Sequence, residues 1–165
     1  VFTPAGVKNI LMGGNTLADR KPGEVQYTGT ATGGPDPYAY NIARMDAHGG
    51  WIANATDLVR LMVRIDGFGA KADILKPASI GLMTAVPALS NPSNYACGWG
   101  VNSSGHWWHA GSLPGSTTDW VRTSTGFNWA ILANTRVGNN DVNDLDAIVW
   151  SAINANAQWQ DIDQF

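Results

Sequence analysis

Residues 95–134 read YACGWGVNSSGHWWHAGSLPGSTTDWVRTSTGFNWAILAN, and the fold turns on how this stretch divides. Its apolar and polar residues alternate with a period of two and are rich in Trp, Val, Ile and Thr. That is the pattern of half-buried strands, not of a helix. Four strands are expected, at 95–101, 106–110, 117–123 and 127–134. The connections NSSG, GSLPGS and STG are short and turn-rich, so successive strands should pair antiparallel as a meander.

Helices flank this stretch. Upstream, NATDLVRLMVRIDGFG begins with Asn54 as N-cap and Asp57 as an acidic variant of the capping box. Leu58, Leu61, Met62 and Ile65 then form one apolar stripe, and Gly67 should end the helix. A shorter helix is expected from Pro77 to about Thr84. Downstream, Asp141 should cap a final helix whose buried stripe is Val142, Leu145, Ile148, Val149, Ala152 and Ile153. Residues 1–24 read mostly as loop with at most a short helix near 5–11, 24–31 as a short strand and 32–37 as a turn cluster. The fold class is therefore α+β: an antiparallel meander flanked by helices, with the C-terminal helix packed on the sheet. No repeat or break divides residues 1–165, which read as a single domain.

Composition narrows the function. Charged residues make up 14% of the chain, against roughly 25% in ordinary soluble domains. The net charge of −3 provides no basic face for nucleic acid. No apolar run approaches the roughly 18 residues that a membrane span needs. Cys97 is the one cysteine, which excludes an internal disulfide, and its aromatic neighbours suggest a buried, inert thiol. Asn54 and Asn102 open Asn-x-Ser/Thr triplets, better explained by capping or chance than by glycosylation.

The densest chemistry is HWWHAGSLPGSTTDW at 106–120. His106 and His109 are three apart, so on a strand they face opposite sides and cannot chelate one ion. With His48 remote and Glu24 the only glutamate, no metal site is expected. Neither Ser112 nor Ser116 sits in Gly-x-Ser-x-Gly, no glycine-rich phosphate loop precedes a helix, and nothing marks two of the twelve Asp as a glycosidase pair. What remains is the strand edge. In His109-Ala110-Gly111-Ser112 a polar head is followed by two small residues, which let a substrate backbone lie alongside, and the next amide can face a developing oxyanion. A plain strand end before a Pro-Gly turn would read the same way.

The order of segments adds information. VFTPAGVKN, GGWIANATDLVRLM, YACGWGV, HWWHAGSLPGSTTDW and FNWAILANT resemble, in that order, segments of the serine β-lactamase and D-alanyl-D-alanine carboxypeptidase superfamily. The resemblance is greatest to the C-terminal half of its class C-like, esterase-like branch, and it runs almost end to end. It implies a partial β-lactamase/transpeptidase-like fold. It also implies that His109, Ala110 and Gly111 occupy the third catalytic motif, Lys/His-Thr/Ser/Ala-Gly, on the substrate strand, with the Ser112 backbone N–H as half of an oxyanion hole. With Ala110 in the middle the motif has no hydroxyl, which favours an esterase-like or unassigned substrate over a β-lactam or peptide carboxylate.

The family's nucleophile, the Ser of Ser-x-x-Lys, has no counterpart. Lys8, Lys21, Lys71 and Lys76 follow Ala5, Ala18, Phe68 and Asp73 at that spacing, and no Tyr-x-Asn or Ser-x-Asn occurs. By resemblance these motifs precede Val1. The chain is then expected to be inactive alone, its partner the N-terminal half or a swapped neighbour that covers the apolar edge of strand 127–134. Its substrate would be a small ester or amide, with no cofactor, and the resemblance implies a periplasmic or secreted location. The alternative is a non-catalytic glycan- or peptidoglycan-binding module that presents Trp99, Trp107, Trp108, Trp120 and Trp129 as a platform, although core packing explains these residues more simply.

Overall fold

The computed structural model describes residues 1–28, 35–90, 93–139, 141–156, 158–160 and 162. The expected strand at 24–31 and turn at 32–37 are therefore seen only in part. Residues 24–28 form no strand. Instead, Thr28 donates its N–H to the carbonyl of Asn134 (3.1 Å), and the Asn134 side chain donates to the carbonyl of Gln26 (2.9 Å). Residues 5–11 form no helix either. Pro4 and Gly6 (φ +75°) close a turn in which Ala5 N–H donates to Phe2 O, and the chain then extends into β1 (Leu11–Met12), which pairs with β2 (Trp51–Ile52).

Between these strands lies the short helix α1 (Ile42–Met45), and after them come α2 (Ala55–Met62) and α3 (Pro77–Thr84). Asn54 caps α2, its side chain accepting the Asp57 N–H. Asp57 does not complete a capping box. Its carboxylate is 1% exposed and accepts from Asn9 N–H (2.7 Å), Asn54 Nδ2 (3.2 Å) and Arg60 (2.8 Å). The helix stops at Met62, short of Gly67, because its last turn tightens: Arg64 and Ile65 donate to the carbonyls of Leu61 and Met62.

The main sheet is a meander in the order β3-β4-β5-β6, formed by β3 (Gly100–Val101), β4 (Trp107–Leu113), β5 (Ser116–Arg122) and β6 (Asn128–Ala133). Gly100 faces Trp108 and Val101 faces Trp107 in antiparallel register. The expected strand 95–101 is shorter than its sequence suggests. Asn94 (φ 52°) and Gly98 (φ +85°) fold the segment back so that Tyr95 bridges Gly100, and Cys97 is exposed where a buried thiol was expected. Conversely, β4 runs on through Gly111 to Leu113, so the connection to β5 is only Pro114-Gly115. Proline followed by a glycine at φ +70° suits a tight turn. No helix among the described residues is long and apolar enough to cross a membrane.

The chain divides into two compact units. The first holds residues 1–11, 53–110 and 120–130. Its core is Met62, Ile65, Trp99 and Trp107, all under a tenth exposed. Trp99 meets Trp107 edge to face (5.2 Å) and tilts against Trp120 (4.8 Å). Trp129 is also buried, so Trp99, Trp107 and Trp129 serve packing and cannot form an exposed platform. Arg122 ties this unit together, donating to Asp66 O and Gly105 O with Phe68 stacked 4.1 Å from its guanidinium carbon.

The second unit holds residues 12–52, 111–119 and the described part of 131–165. Its long helix, α4 (Asp141–Ala155), packs on the sheet with a different stripe from the one expected. Ile148 is 65% exposed and Ala152 is exposed, while Asp146 and Trp150 are half-buried beside Val142, Leu145, Val149 and Ile153. The cause is polar. Asp146 hydrogen-bonds Trp150 and the buried Asp119 of β5, a partner that hydrophobic periodicity does not register. Asp141 is the first residue of α4, and its carboxylate accepts from the N–H groups of Val137 and Gly138 ahead of the helix.

Candidate functional site

His109, Ala110, Gly111 and Ser112 are consecutive on β4. His109 and Ser112 are exposed, and the two small residues between them are half-buried. A β-carbon at Gly111 would stand 2.5 Å from Thr118 Oγ1 on β5, so a larger residue there would force that hydroxyl to turn away. The missing side chain therefore leaves room for the Thr118 hydroxyl as it stands.

His109 is held by the turn that shortens β3. Its Nδ1 lies 2.7 Å from the Gly98 carbonyl and 3.0 Å from Tyr95 Oη, and the Tyr95 ring packs at 6.1 Å. His106 has a different attachment: its Nδ1 accepts the Ser124 N–H at 3.0 Å. The two histidines do not converge. No group of three His, Cys, Asp or Glu among the described residues could hold a metal ion. His109 Nδ1 is engaged by Gly98 and Tyr95, not by a serine.

A feature not read from the sequence lies in the second unit, a cavity of about 100 Å³. Tyr27, Tyr38, Tyr40 and Trp51 wall it, with Arg20 contributing a cation and Ser116 a hydroxyl. Leu113 and Pro114, directly after Ser112, complete that wall. Tyr38 Oη accepts the Tyr27 N–H at 2.9 Å, and burial, with Glu24 beside it, pushes the Tyr27 phenol above its ordinary value. The aromatics come from loops and short elements with no period, so no sequence pattern brings them together.

Two comparisons with known proteins bear on this arrangement. The Beta-lactamase family model matches residues 1–153. Among curated proteins, none matches the chain.

Proposed function

From a chain that belongs to the Beta-lactamase family, we propose the C-terminal portion of a serine hydrolase of the class C-like, esterase-like branch. It supplies the substrate strand but not the nucleophile. The observation that carries this reading is the exposed His109 at the head of an extended His109-Ala110-Gly111-Ser112 strand, in a sequence without Ser-x-x-Lys. In this reading His109 contacts the substrate, Ala110 and Gly111 leave room for it, and the Ser112 backbone N–H stabilises the developing oxyanion. The nucleophilic serine and its lysine base come from a segment outside these residues, the N-terminal half of the same hydrolase. The assembled enzyme works in the periplasm or outside the cell.

The test is labelling with a serine-reactive fluorophosphonate, read by intact mass. The chain alone should stay unlabelled, and the segment bearing Ser-x-x-Lys should gain one adduct when the two are combined. A stoichiometric adduct on this chain alone would overturn the proposal and make Ser112 and Ser116 the first residues to substitute.

A further inference from the structure

We propose that Gly98 is a positioning residue that holds His109 in the Nδ1–H tautomer and leaves Nε2 as a hydrogen-bond acceptor on the substrate strand. The functional meaning of this inference rests on the hydrolase reading, but its test does not. The Gly98 carbonyl can only accept, so at 2.7 Å from Nδ1 it requires the proton to be on that nitrogen. Were Nδ1 bare, two lone pairs would face each other. Tyr95 Oη, at 3.0 Å, provides a second oxygen on the same side. His109 is exposed, and among the described residues its Nε2 has no hydrogen-bond partner.

The turn is built to present that carbonyl. Ala96 N–H donates to Trp99 O (2.7 Å), Val101 N–H to Asn94 O (2.8 Å) and Cys97 N–H to Met83 O (3.1 Å), while Tyr95 bridges Gly100. Gly98 takes φ +85°, a conformation in which any other residue is strained, and this aims its carbonyl at the imidazole. A lysine at the position of His109 would present donors only, the arrangement that suits a carboxylate. A neutral His109 held in this tautomer presents an acceptor. It therefore favours a ligand that brings a hydroxyl or an amide N–H donor over an anion, whereas an ester group, which only accepts, gains nothing from it. If Nε2 takes up a proton and later returns it, the Nδ1–H bond to Gly98 is undisturbed throughout.

The experiment is long-range 1H–15N correlation spectroscopy on the 15N-labelled chain, at a pH where its own titration shows His109 neutral. His109 should show a protonated Nδ1 and a bare Nε2, the first tautomer exceeding the other by about fivefold, the ratio that one net hydrogen bond supports. His106, whose Nδ1 accepts from Ser124, should show the opposite pattern in the same spectrum and serve as internal reference. Gly98→Ala adds a β-carbon with nothing within 4 Å, so it acts through backbone strain alone and should shift His109 towards the Nε2–H form. Tyr95→Phe keeps the ring and removes a hydroxyl that could donate to a bare Nδ1, so the Nδ1–H form should persist in it. A dominant Nε2–H form in the unmodified chain or in Tyr95→Phe, or a ratio in Gly98→Ala equal to that of the unmodified chain, overturns the inference. If Gly98→Ala fails to fold, the unmodified chain and Tyr95→Phe decide it. The tautomer is read without turnover, so a correct tautomer beside a failed serine-labelling experiment would sink the hydrolase reading and leave this one standing.

Discussion

Replacing Asp57 with alanine should be among the costliest exchanges on α2. The Asp57 carboxylate is 1% exposed and accepts from Asn9 N–H, Asn54 Nδ2 and Arg60. Removal orphans the Asn9 N–H, and a hydrogen bond to a charged group is worth about 1.5–3 kcal/mol. It also removes the Asp57 partner of Arg60, which is 21% exposed and can recover water, so that loss lies below the 3–5 kcal/mol typical of fully buried pairs. Together these give about 3 kcal/mol, or a Tm lower by about 6–12 °C for a chain of this length. Asp57→Asn keeps an acceptor for Asn9 and should lose about half as much. Burial pushes the Asp57 carboxyl up, but hydrogen bonds from Arg60 and from the backbone of Asn9 and Lys8 outweigh it and hold the group below its ordinary value of 3.8. The depressed carboxylate therefore stabilises the fold above pH 3.8, and that stability is lost as pH falls from there through the folded-state value. Thermal and urea unfolding from pH 2.5 to 7 would check both parts. An alanine variant within about 0.5 kcal/mol of the parent, or one with an unchanged acid limb, would refute the reasoning.

Other substitutions probe the remaining contacts. Asp146→Asn should stabilise the chain at pH 7 by up to about 1 kcal/mol, because its amide can donate to Asp119 where two carboxyl groups must share a proton. Burial raises the Asp146 carboxyl, so the parent should lose stability as pH rises above 3.8, and its gap from the variant should close near pH 4 in Tm measurements. Gly115→Ala places a β-carbon 2.7 Å from both Thr28 O and Pro37 Cγ at φ +70°, and should cost about 1–3 kcal/mol in urea denaturation. Met62→Ala empties a fully buried position and should cost about 2–5 kcal/mol by the same assay.

Much of the architecture follows from the chain itself. A period of two after residue 95, Asn54 as a cap and Pro77 at a first turn set the element types, because alternation, capping and proline geometry are local physics. The order of weak motifs pointed to the Beta-lactamase family, whose model matches residues 1–153. Local pattern did not foresee where backbone and side chains find distant partners. YACGWGV reads as a strand, yet Asn94 and Gly98 fold it back into a turn and expose Cys97. Apolar spacing assigned Ile148 to the core, but Asp146 lies inward because Asp119 offers a carboxyl partner from another element. The sequence placed His109 on a strand with the small residues Ala110 and Gly111 after it. Only tertiary structure decided which nitrogen of its ring is tied down, because the carbonyl that ties it lies eleven residues away across a turn.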